Sequence, residues 1–127
     1  MLSLQESERV QLATFCSASI EHDADTALIR LEGEFDLSCE DRFHAEVARI
    51  TAWRPDTVVL DLRGLTFIDS RGLRMVLELD GASRQRGFEL TLVQADGQVQ
   101  RVLSITGLDR LLSLDRPLHG LKEEPAR

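Results

Sequence analysis

The chain reads as an α/β domain built on a mixed sheet, with elements in the order β-β-α-β-α-β-α-(β). Three observations carry this. Thr57-Val58-Val59-Leu60-Asp61-Leu62 is a β-branched, mostly apolar run, short enough for a strand buried on both faces. Around it, segments of strand and helix periodicity alternate after an initial hairpin, which calls for strands joined through helices. A chain of 127 residues, 43% of them hydrophobic, is long enough for one domain with its own core. With no Tyr, one Trp and five Phe, that core is largely aliphatic.

Residues 1–14 are polar with scattered Leu and Val and read as an N-terminal extension, either a short helix or frayed chain. The domain proper is expected over residues 15–116. Phe15 to Glu21 alternates as an opening strand, His22 to Asp25 supplies turn residues, and Thr26 to Phe35 is a second strand completing a hairpin. In it Ala27, Ile29 and Leu31 share one face, and Gly33 marks a bulge or a close backbone approach. Asp36 or Ser38 caps the first helix, whose apolar stripe is Phe43, Val47 and Ile50 and which stops before Pro55. After the buried strand, Arg63-Gly64 signals a turn. Ser70 is placed like the N-cap of a second helix with Leu73, Val76 and Leu77 on one face, ended by Gly87. Phe88, Leu90 and Leu92 alternate as a strand, and Asp96-Gly97 turns the chain. Val99, Val102, Leu103 and Thr106 mark a third helix closed by Gly107, and Leu111 to Leu114 suits a last short strand. Residues 117–127 turn to Pro, Gly and charge and read as a tail.

A formal net charge of −7 argues against a nucleic-acid partner, which calls for a basic face. No stretch approaches the roughly 18 apolar residues of a membrane span, and the first residues are too polar for a signal peptide. Cys16 and Cys39 form no metal-ligand pattern and are expected to be two reduced, buried thiols in a cytoplasmic protein, a disulfide between them being the alternative. Neither a Gly-x-Gly-x-x-Gly nor a Walker-type phosphate loop is present, and no cofactor is expected.

The chemistry concentrates at Ile68-Asp69-Ser70-Arg71-Gly72. A hydroxyl at a helix start, at the end of a buried strand, is held by the scaffold yet open to a partner; on position alone a plain helix cap is the simpler reading. As a hydrolase nucleophile, Ser70 lacks the first glycine of a nucleophile elbow, and none of His22, His44 and His119 is placed for it by the sequence. Asp69 and Asp36 each suit a turn or cap. Together with Ser70 they make a weak Mg²⁺ signal and, if both helix starts share one sheet edge, a small acidic surface.

The strand ending Leu60-Asp61-Leu62, followed after a spacer by Phe67-Ile68-Asp69-Ser70-x-Gly72-Leu73 and an aliphatic helix, resembles the STAS domain of bacterial anti-sigma factor antagonists. Leu31-Glu32-Gly33-Glu34-Phe35-Asp36 is similar to that family's other signature, and the resemblance covers roughly residues 15–115. It implies a small mixed sheet with helices on one side, and a binding protein rather than an enzyme. It also implies an anti-sigma factor partner that is a Ser/Thr kinase of histidine-kinase-like fold, and a metal-dependent phosphatase. In that family the unphosphorylated form binds the anti-sigma factor and frees the sigma factor. Phosphorylation of the serine after the motif aspartate, here Ser70, ends the binding. Asp36, Asp69 and Gly72 match the partner-binding surface, to which Arg71 and Arg74 are added by position. Arg71 departs from the family, which usually has Ser or Thr there. An arginine beside the site either pairs with a phosphoserine or alters kinase recognition. The alternatives are a non-switching STAS subunit of a stress-signalling or lipid-transport assembly, with Ser70 only a cap, and a small hydrolase or nucleotide-binding protein. The sequence leaves monomer and homodimer open.

Overall fold

The computed structural model describes residues 7–93 and 97–106. They form five strands, β1 (Glu8–Ala13), β2 (Cys16–His22), β3 (Thr26–Phe35), β4 (Thr57–Ile68) and β5 (Glu89–Val93), in one sheet of order β1-β2-β3-β4-β5. The helices are α1 (Glu40–Thr51), α2 (Ser70–Arg86) and α3 (Gly97–Thr106), with a 3-10 turn at Leu37–Cys39 ahead of α1. β1 and β3 flank β2 antiparallel, whereas β3, β4 and β5 run parallel, so the sheet is mixed as expected.

The topology fixes where the helices lie. β3, β4 and β5 are neighbours in chain order, so the crossovers through α1 and α2 both step the same way across the sheet. Parallel crossovers are right-handed, which puts both helices on one face. That face is the core. Ala18 and Ile20 of β2, Ile29 and Leu31 of β3, Leu60 and Leu62 of β4 and Leu90 and Leu92 of β5 pack in one cluster with Phe43, Ile50, Leu73, Val76, Leu79, Val99 and Leu103 from the helices. Each such aliphatic side chain contributes about 1.5–3 kcal/mol on burial. On the opposite face a charged ladder crosses the strands: Arg9 to Glu32 at 3.1 Å, Arg30 to Glu21 at 3.0 Å and Arg63 to Asp61 at 2.9 Å.

Two expectations for chain path are corrected. The segment read as an extension contains β1, an edge strand. Leu12 is buried and Val10 half-buried on its inner face, where Glu8 reaches Arg49 of α1, while Arg9 and Gln11 are exposed on the other face. Two apolar residues are too few to announce a strand, and β1 exists because β2 offers it a paired edge.

Arg63-Gly64 is not a turn. β4 runs on to Ile68, and its extra residues against β3 appear as irregular register between Arg30 and Glu32 and between Gly33 and Glu34. Gly64 is needed there for space: a Cβ would lie 2.7 Å from the Leu31 carbonyl oxygen. Gly33, at φ +98°, is the close approach expected of it, passing under the Phe15 carbonyl. α1 stops at Thr51, before Pro55, and Gly87 ends α2 in the left-handed conformation. Asp96, Gly107, the strand expected at Leu111 to Leu114 and the tail lie outside the described residues.

Candidate functional site

β3 and β4 end in register, Phe35 opposite Ile68, so the next residues, Asp36 and Asp69, emerge side by side from the carboxyl end of the sheet. The Asp69 N–H donates back across the gap to the Phe35 carbonyl at 3.4 Å. Both aspartates have extended backbones, and each caps the helical turn after it. Asp36 Oδ1 accepts from the Ser38 N–H at 3.0 Å and from the Ser38 hydroxyl at 2.5 Å. Asp69 Oδ1 accepts from the Gly72 N–H at 2.8 Å.

Asp69, not Ser70, is therefore the N-cap of α2. The carboxylate one residue earlier reaches the third N–H of the helix, the geometry a cap requires, and Ser70 becomes the first helical residue. Its side chain is exposed and has no hydrogen-bond partner among the described residues. The cap expected of Ser70 by sequence is thus corrected, and the shift frees the hydroxyl.

Gly72 is buried because α2 starts hard against the strand ends. A Cβ there would run into the Phe35 carbonyl oxygen and lie 2.8 Å from Ile68 Cγ1. Arg71, half-buried, reaches Glu40 Oε2 at 3.4 Å and ties the starts of α1 and α2 together. Arg74, one turn after Ser70, is exposed and unpaired among the described residues. The structure thus brings all six sequence-selected residues, Asp36, Asp69, Ser70, Arg71, Gly72 and Arg74, to one rim. The histidines go elsewhere: His22 stacks on Trp53 at 3.9 Å at the opposite end of the sheet, and His44 bonds Glu78 at 2.9 Å, two turns down α2. His119 lies outside the described residues.

The sequence reading missed an apolar border to this rim. Phe15, Leu37 and Phe67 are 69%, 59% and 38% exposed. Phe67 pairs with Glu34 in the sheet, and the Glu34 N–H donates to the Phe15 carbonyl at 2.8 Å, which sets the three backbones side by side. Leu37 comes directly after Asp36. The sequence reading gave none of the three a role at the site, because their nearness to it depends on the strand ends meeting here.

Asp61, of the Leu-Asp-Leu signature, is buried within β4 on the face that carries the charged ladder. Burial alone pushes its carboxyl up, but Arg63 bonds it through Nε at 3.0 Å, Nη2 at 2.9 Å and its backbone N–H at 3.0 Å, with Arg30 3.7 Å away. These cations hold it, on balance, below the usual carboxylate value.

The sequence profile of the STAS domain matches residues 17–120, and the chain belongs to that family. It is similar to an anti-sigma F factor antagonist of Paenibacillus polymyxa, 28% identical over 106 residues that cover 82% of this chain and 91% of that one. Among solved structures it resembles an anti-sigma factor antagonist from Mycobacterium paratuberculosis, with TM-score 0.66 and 22% identity over 81% of this chain and 87% of that one. It also resembles the Bacillus cell fate determinant SpoIIAA in its phosphorylated form, with TM-score 0.59 and 23% identity over 75% of this chain and 87% of that one.

Proposed function

We propose that this chain is an anti-sigma factor antagonist, a cytoplasmic binding protein rather than an enzyme, and that Ser70 is its switch. The observation that carries this is the free, exposed Ser70 hydroxyl on a helix start whose cap is supplied by another residue. A serine needed for its own helix would be engaged; this one is spare and points at solvent. In the unphosphorylated form the rim of Asp36, Asp69, Ser70 and Gly72 docks on an anti-sigma factor that is also a Ser/Thr kinase, releasing the sigma factor. The kinase phosphorylates Ser70 and a metal-dependent phosphatase restores it.

Phosphorylation adds about −1.5 to −2 charge at the first turn of α2. The helix dipole and free N–H groups accept an anion there, so the domain keeps its fold. The penalty falls on docking, where the hydroxyl becomes a dianion beside Asp69 and Asp36 that the complex would have to desolvate. A loss of about 3 kcal/mol, on the scale of a buried unpaired charge, weakens binding on the order of a hundredfold. Arg71 is occupied by Glu40, whereas Arg74, unpaired among the described residues, is free to meet either the partner or the phosphate. The test is incubation of this chain with the candidate kinase and ATP, read by intact mass. One added phosphate that disappears in Ser70→Ala supports the switch. A phosphate at another residue, or none while the two proteins still bind, excludes it.

A further inference from the structure

Directly beneath the rim, Cys16 and Cys39 form a buried pair of free thiols in the core cluster. Cys16 opens β2 opposite Gly33, and the Cys39 thiol donates to the carbonyl of the next residue, Glu34, at 3.5 Å and lies 3.9 Å from Asp36 Oδ1. Both cysteines thus lie against the same Gly33-Glu34 dipeptide at the end of β3. We propose that Cys16 and Cys39 are a dithiol that a hydroperoxide converts to an intramolecular disulfide, locking the docking rim from below.

Access is the obvious obstacle, and the flanking segments answer it. Cys16 comes after the exposed Phe15 in a two-residue turn. Cys39 ends a 3-10 turn whose other residues, Leu37 and Ser38, are exposed. Each sulfur is one short, non-helical segment away from solvent, and such segments open locally far more often than the sheet unfolds. Burial above all, then the neighbouring Cys39 and Asp36, keep the proton on Cys16 well past the usual thiol range. Either sulfur can meet the oxidant, with the other resolving it. The first sulfur attacks a peroxide oxygen, the O–O bond breaks, and water leaves a sulfenic acid. The second sulfur then displaces its hydroxyl as a second water and the S–S bond forms, so two thiols and one hydrogen peroxide give one disulfide and two waters.

The bridge ties the turn carrying Phe15 to the 3-10 turn carrying Asp36 and Leu37, fixing the two sides of the rim to one another. The crosslink stands whether or not the rim docks on an anti-sigma factor, and its test uses no partner. Reduced full-length protein is treated with hydrogen peroxide, unfolded, and alkylated. The expected product is a monomer lighter by two hydrogens that takes up no alkyl group. Trypsin then releases residues 10–30 joined to residues 31–42, and the melting temperature rises against the reduced form. In Cys39→Ala the two-hydrogen loss disappears. A wild-type monomer that keeps two alkylatable thiols, gains oxygen atoms instead, or crosslinks to a second copy overturns the proposal.

Discussion

Asp36 and Asp69 leave adjacent parallel strands at the same level and perform the same task, each turning a carboxylate onto a backbone N–H of the next turn. The pair makes the rim rigid and leaves Ser70 with no structural duty. The first consequence is a contrast in stability. Asp69→Ala should cost about 1 kcal/mol, the usual value of an N-cap. Ser70→Ala should change stability by less than about 0.5 kcal/mol, as at exposed positions generally. Urea unfolding of the two variants checks this; equal losses would return the capping role to Ser70.

Gly72→Ala separates packing from helix propensity. Propensity alone favours alanine by about 1 kcal/mol in a helix. The added methyl meets the Phe35 carbonyl and Ile68, so the variant should instead be less stable by about 1–3 kcal/mol, the scale of overpacking. A stabilised Gly72→Ala protein would mean that α2 does not start hard against the strand ends.

The Asp61 carboxyl sits below its ordinary value, so the folded state binds its proton less readily than the unfolded chain. Its contribution is present in full above the unfolded value of about 3.9 and fades as pH falls through the lower folded value. Asp61→Asn should lower stability at neutral pH, by about 1–3 kcal/mol for bonds to a charged group, and the gap to wild type should narrow in acid. Unfolding curves at neutral and acid pH test it; a gap that widens in acid would contradict the sign.

Phe15 and Phe67 are exposed, carry little of the fold and lie at the end of the sheet from which α2 departs. Phe15→Ser and Phe67→Ser should melt near the wild type, and each should weaken binding to the anti-sigma factor by about 1–2 kcal/mol, a tenfold effect, as expected of an exposed aromatic anchor. Titration calorimetry decides it. Unchanged affinity in both variants would place the docking surface away from this edge.

Much of this architecture was legible in the chain because its signals are local. Strand alternation at Thr26 to Phe35, the apolar run at Thr57 to Leu62 and the αL glycine at Gly87 each mean one thing wherever they occur. The elements that escaped depend on a neighbour. β1 is a strand only beside β2. Gly64 reads as a turn residue until Leu31 is seen pressed against it. The same holds at the site. Asp69-Ser70 offers two adjacent capping residues, and which one caps is set by where the Ile68 strand end points the backbone. The exposed edge of Phe15, Leu37 and Phe67 had no sequence signal beyond flanking the two signatures, because apolar residues are counted inward by default.

On the proposed function, one accessible oxygen on Ser70 decides whether this rim docks. The most direct measurement is the affinity of the anti-sigma factor for the unmodified chain and for the chain carrying phosphoserine at residue 70, compared by calorimetry at one ionic strength. The expected result is a loss on the order of a hundredfold or more on phosphorylation, with the two forms melting close together. Equal affinity of the two forms, or a lost affinity explained by an unfolded phosphoprotein, would contradict it.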